Sequence, residues 1–218
     1  MKILDVPRSG SYQGITSSRN RFGQYVRTRA TPVNPSSDAQ ATVRARLSQN
    51  AIAWKALTDA QRAGWESLGS QMQRTDSLGQ SYTLNGFAAY CSVNNNKLAV
   101  GDAVVSDAPA IEAPVNIVTA TVTLSASAFT IAYTATPLGT GTRLLIYASP
   151  QRNAGRSFEA DYRLIMATAA AAASPADIES QYIARLGTPV AGNRIFLSIV
   201  AYKGGFVSGP FNVSQIVS

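Results

Sequence analysis

NPSSDAQATVRARLSQNAIAWKALTDAQRAGWESL, residues 34–68, decides how the front half of this chain folds. Asn34-Pro35-Ser36-Ser37 is turn chemistry, and Asp38 opens a helical pattern that runs to about Ala56. Thr58-Asp59-Ala60-Gln61 has the form of a capping box: the Thr hydroxyl meets a backbone amide one turn on, and the Gln side chain reaches back. Leu57 stands where a hydrophobic staple would, so two helices meet at Leu57-Thr58. Both tryptophans, Trp54 and Trp65, flank this corner. Their packing together, roughly 200 Å² of burial each and about 5 kcal/mol at most, is expected to fix the angle of a helical hairpin.

The wheel of the first helix gathers Val43, Leu47, Ala51 and Trp54 on one face and Ala41, Ala45, Ile52 and Ala56 on the opposite one, with Arg44 and Arg46 between. The bulky stripe is expected to face the hairpin partner, and the small-residue stripe another subunit or the N-terminal arm. The second helix, about Asp59 to Met72, carries Gln61, Trp65, Leu68 and Met72 inward. Gly64 weakens it by up to ~1 kcal/mol unless it lets the first helix come close, and Gly69 reads as a loosening of its end. After the polar loop RTDSLGQS, the spacing of Phe87, Tyr90, Cys91, Val93/Asn94 and Leu98 predicts a third helix from about Asn85 to Leu98. Residues 34–100 thus read as a small three-helix domain, with Cys91 a buried, inert thiol.

Residues 1–33 have no helical period and are broken by Gly10, Gly14 and Gly23. In RNRFGQYVRTR, residues 19–29, Tyr25, Arg27 and Arg29 alternate with Val26 and Thr28, a strand pattern. A lone ribbon buries no core. The segment is therefore read as an extended basic arm that pairs with another sheet or lies over a neighbouring subunit. Arginine suits both acidic side chains at interfaces and phosphates. The candidate partner-binding residues are Arg19, Arg21, Phe22, Tyr25, Arg27 and Arg29 of the arm, with Arg44, Arg46 and Ile52 of the first helix.

Charge supports this division. Residues 1–100 hold 12 basic and 5 acidic residues, and residues 101–218 hold 7 of each, so the whole net +7 belongs to the first half. That asymmetry points to a polyanion or an acidic protein as partner. The chain has no histidine and one cysteine, which removes the commonest general base, nearly excludes zinc and redox-metal sites, and forbids an internal disulfide. No cofactor is expected. The N-terminus does not read as a signal peptide and no stretch is long enough to span a membrane, which predicts a soluble protein made in the cytoplasm of its host cell.

Residues 101–116, GDAVVSDAPAIEAPVN, read as an extended connector. From Ile117 the pattern turns to strands: Val118–Leu124, Ala128–Thr136, Thr142–Ser149, a mixed patch in SFEADYRLIMATA, and Arg194–Lys203, followed by a Gly204-Gly205 turn and a return over Phe206–Ser214. Short strands at this spacing predict an antiparallel β-sandwich over 117–218. Gly139-Thr-Gly-Thr reads as a hairpin-like turn rather than a phosphate cradle. Glu159/Asp161 and Asp177/Glu179 are close carboxylate pairs, but a two-residue spacing points them apart on a helix or a strand.

Three resemblances attach to these motifs. Trp54-Lys-Ala-Leu-Thr is similar to the corner that joins two helices in the DNA-bending HMG box, but the residues upstream do not follow that box. GNRIFLSIVAYKGGFVSGPFNVS, closing the chain, resembles the last hairpin of fibronectin type III and related immunoglobulin-like domains. The likeness extends over roughly 115–218, without the core Trp of an early strand and with an Ala-rich insertion near Ala169–Leu186. It implies a display or adhesion scaffold rather than an enzyme. GSYQGITSSRNRFGQYVRTRATPVNP with the W-x-x-L-T corner resembles small virion proteins of tailed bacteriophages and prophages. That implies an α+β protein anchored by its arm and helices to capsid, portal or tail subunits, present in many copies, and displaying a sandwich. Head decoration is the first expectation and a head–tail or tail component the second. A DNA-binding protein using the basic half, and a carbohydrate-binding adhesin or carboxylate-based glycan enzyme, are the alternatives.

Overall fold

A computed structural model describes residues 8–20, 23–75, 79–125, 128–134 and 138–218. Contacts divide the chain into two compact units, Met1–Thr42 and Val43–Ser218.

In the first unit, β1 (Gly10–Tyr12), β2 (Ile15–Asn20) and β3 (Gly23–Thr28) form an antiparallel sheet in chain order. The arm is therefore not an extended ribbon waiting for a foreign sheet, because its strands pair with each other first. A two-residue turn, Gln13-Gly14, with Gln13 at φ 49°, joins β1 to β2. The Arg29 N–H closes the sheet on the Gly14 carbonyl at 2.8 Å. The polar composition of β2, ITSSRN, hid this strand from a periodicity reading.

The second unit opens with helices α1 (Asp38–Ala56, begun in the first unit), α2 (Asp59–Gln71) and α3 (Gly86–Val100). A short hairpin of β4 (Gln73–Thr75) and β5 (Ser81–Thr83) lies between the last two. The capping box is formed: Thr58 Oγ1 accepts from the Gln61 N–H at 3.3 Å, and Gln61 Oε1 accepts from the Thr58 N–H at 3.0 Å. The two tryptophans meet on a third ring rather than on each other. Tyr90 of α3 lies 5.1 Å from Trp65 and 5.5 Å from Trp54, with Phe87 5.7 Å from Trp54. The corner is thus fixed by three helices.

The expected inner stripe of α1 packs only at its C-terminal end. Val43 and Leu47 are 64% and 50% exposed, while Asn50 is buried and donates to Asn95 of α3 at 2.9 Å. The close approach expected at Gly64 is found at Gly69 instead. Gly64 faces Ala108 rather than α1, and Gly69 lies against the backbone of Leu84 and Asn85.

Residues 101–116 form no helix or strand, yet residues 105–107 are tied to α2 and α3. The buried Trp65 donates its indole N–H to the Ser106 carbonyl at 2.7 Å. The Asn94 amide brackets Val105, donating to its carbonyl and accepting from its N–H. Gln61 donates to Asp107 at 3.0 Å.

The remaining strands are β6 (Thr119–Ser125), β7 (Ala128–Thr134), β8 (Arg143–Ala148), β9 (Arg152–Asn153), β10 (Arg163–Ala167), β11 (Ala176–Asp177), β12 (Asn193–Lys203), β13 (Phe206–Val207) and β14 (Phe211–Ile216), with α4 (Glu179–Leu186) between β11 and β12. They make two antiparallel sheets: β11-β7-β6, and a larger one in which β12 pairs with β8, β9, β13 and β14, and β10 adds to β8. The Gly139–Thr142 turn leads into β8 on the large sheet, whereas β7 belongs to the small one, so it closes no hairpin between them.

One core joins the two sheets. Val122, Leu124, Phe129 and Ile131 of the small sheet meet Leu144, Ile146, Ile195, Leu197 and Ile199 of the large one. The long apolar run of β12 is explained by burial on both faces. Its odd-numbered residues enter this core. On the other face, Phe196 lies under a loop at residues 157–162, and Tyr202 donates to Asp102 at 2.8 Å. The β12–β13 turn carries Phe206 into the helical cluster, where Asn96 donates to the Gly205 carbonyl at 2.8 Å. The described residues are thus α+β, with four helices and antiparallel sheets packed as in a sandwich.

Candidate functional site

Register assigns the arm's side chains to faces. Tyr12 pairs with Ile15, Ile15 with Thr28, Ser17 with Val26 and Arg19 with Gln24, so these residues share one face. Thr16 pairs with Arg27 and Ser18 with Tyr25, which places Arg27 and Tyr25 on the opposite face with serine and threonine neighbours. One face is therefore apolar at Tyr12, Ile15 and Val26, with Arg19 at its end, and Tyr12 is 72% exposed. The other is polar and basic. Arg29 follows β3 and is exposed. Arg19, Arg27 and Arg29 make no ion pair among the described residues.

The arm arginines thus do not form a single patch: Arg19 and Arg27 lie on opposite faces. Arg21 and Phe22 lie outside the described residues. Arg44, Arg46 and Ile52 belong to α1 in the second unit, where Arg46 is half-buried and Ile52 is 68% exposed. Val43 and Leu47, expected to be inward, join the exposed apolar residues of this helix.

A second cluster was not visible in the sequence. Between β9 and β10, Glu159 is buried and accepts from the Arg152 Nε, from Arg156 at 3.4 Å, and from the backbone N–H groups of Ala160 and Asp161 at 2.9 and 3.0 Å. The Asp161 N–H, then the Arg152 side chain, hold the Glu159 carboxyl down at about 2. Asp161 also faces Arg152, at 3.8 Å, and Arg163, at 3.6 Å. Glu159 and Asp161 do not point apart, because this stretch is neither helix nor strand, and both turn to Arg152. A general acid needs a raised carboxyl, and Glu159 is shifted the other way. Asp177 accepts from the Glu179 N–H at 3.0 Å, where α4 begins.

Cys91 is buried, and burial pushes its thiol up, away from the thiolate. Among the described residues, no three or more Cys, Asp or Glu side chains cluster as a metal site would require, and no helix is long and apolar enough to cross a membrane. Compared with protein-family models, curated proteins and solved structures, the chain matches none.

Proposed function

We propose that this chain is a non-enzymatic structural protein of a tailed-phage particle, anchored through its N-terminal sheet and α1 and displaying an immunoglobulin-like sandwich. Attachment to the head as a decoration or stabilising protein is the first choice, and a head–tail or tail position the second. The observation that carries this reading is the exposure of Tyr12 and Ile15 on the apolar face of β1–β3. A three-stranded sheet this small needs its apolar face packed to be stable. Tyr12 and Ile15, both exposed, offer about 1–2 kcal/mol each on burial. The outer edge of β3 is a place where a neighbouring chain can add a strand. Many copies, each adding a modest interface, would hold the shell by multivalency.

Charge favours an acidic partner surface. Residues 8–58 contain eight basic residues and one acidic residue, which accounts for the whole net +7 of the chain. A protein interface fits better than a nucleic-acid duplex, because a duplex on one face of the sheet meets Arg19 or Arg27 but not both.

The test is incorporation. Deleting residues 1–33, or replacing Tyr12 and Ile15 together by serine, should leave a soluble chain that no longer co-purifies with particles. Normal incorporation of both variants refutes the anchoring role. Steeply salt-dependent retention of the intact chain on DNA would transfer the basic region to the nucleic-acid reading.

A further inference from the structure

We infer that the groove beside the Glu159 loop, on the outer face of the large sheet, is a binding site for a neutral saccharide. The groove encloses about 430 Å³. Its floor is Phe196 of β12 and its far wall is Asn212 and Ser214 of β14. Its near wall is the loop from Ser157 to Tyr162. Phe196 pairs with Ser214 and Ser198 with Asn212 across the sheet, so all of these side chains leave the same face, away from the sandwich core.

Three observations point to a ligand. First, Phe158 at the rim is 73% exposed, a large apolar ring held in water at the edge of a concavity. Second, the loop presenting it is fixed. The buried Glu159 carboxylate takes four donors, two from arginines and two from the next backbone amides, and Asp161 ties the same loop to Arg152 and Arg163. A surface loop held by this many charge-assisted bonds is preorganised, which lowers the entropic cost of binding. Third, the lining combines two chemistries. Phe158 and Tyr162 offer flat rings to the C–H face of a pyranose, and the Asn212 amide and the Ser157 and Ser214 hydroxyls offer both donors and acceptors to its hydroxyl groups.

The charge state of the groove selects a neutral sugar. Its one carboxylate, Glu159, is consumed by the loop, so it offers no charged acceptor to a cationic ligand. No arginine is among the residues that line the groove, and Arg152 and Arg156 beside it are themselves turned to Glu159 and Asp161. This inference is independent of the anchoring role of the arm.

The test is titration calorimetry of the full chain with maltohexaose, cellohexaose, chitohexaose and mannohexaose, with hexagalacturonate as the anionic comparator. At least one of the four neutral oligosaccharides should bind. Phe158→Ala and Asn212→Ala should each weaken it by about tenfold or more, equivalent to about 1.4 kcal/mol, with an unchanged urea midpoint. Failure of all four to bind, binding of hexagalacturonate alone, or binding untouched by Phe158→Ala overturns the assignment.

Discussion

Gly69 and Gly64 lie in one helix, and the structure gives their replacement by alanine opposite signs. Helix propensity alone favours both changes by about 1 kcal/mol. At Gly64 the new methyl group meets the Ala108 Cβ at 3.6 Å, an ordinary contact, so the propensity gain survives. At Gly69 it meets the Leu84 carbonyl oxygen at 2.6 Å and the Asn85 carbonyl carbon at 3.1 Å. Overpacking costs about 1–3 kcal/mol, and the upper end applies where the atom struck is backbone that cannot swing aside. The net result for Gly69→Ala is a loss of about 2 kcal/mol. Urea denaturation followed by far-UV circular dichroism measures it. With a slope of about 2 kcal/mol per molar, the midpoint should fall by about 1 M for Gly69→Ala and rise by about 0.5 M for Gly64→Ala. If Gly69→Ala is as stable as Gly64→Ala, the close approach of α2 to the segment entering α3 is wrong.

Two further outcomes follow from buried polar groups. The Glu159 carboxyl is held at about 2 in the folded chain against 4.5 ordinarily, so its contribution to stability is complete above pH 4.5 and is lost as the pH falls through 2. Thermal unfolding should show Glu159→Gln less stable than wild type at pH 6, with the gap closing toward pH 2; a gap independent of pH contradicts the network. The Tyr202 phenol is pushed up by burial and by the Asp102 carboxylate that accepts its hydrogen bond. Tyr202→Phe should cost about 1–2 kcal/mol in chemical denaturation, since the Asp102 carboxylate then keeps, among the described residues, Arg143 at 3.1 Å; no loss would mean that this bond does not tie residue 102 to the sheet.

Legibility in the sequence depended on how local the signal was. The Thr58–Gln61 capping box, the α2 stripe and the apolar run of β12 were readable because their determinants are contiguous or periodic. The half-packed stripe of α1 was not, since an amphipathic pattern shows which face could be buried but not where the partner helix ends. Asn50 and Asn94 look like surface residues and are buried through hydrogen bonds to residues 95 and 105. The Glu159 loop was missed for a related reason. The spacing rule for side chains presumes a helix or a strand, and residues 154–162 are neither, so the convergence on Arg152 had no periodic signature. Of the candidate site residues, Tyr25 and Arg27 fell together as the alternation indicated. Arg19 fell on the other face because the β2–β3 register, not the sequence, decides it.

The account rests on the sheet at residues 10–28 being completed by another chain. Hydrogen exchange followed by mass spectrometry, on the free protein and on the protein within particles, tests this directly. Amides of residues 10–28 should exchange fast in the free chain and become strongly protected on assembly, while those of β12 stay protected in both. Protection of residues 10–28 already complete in the free chain, and unchanged on assembly, would contradict it.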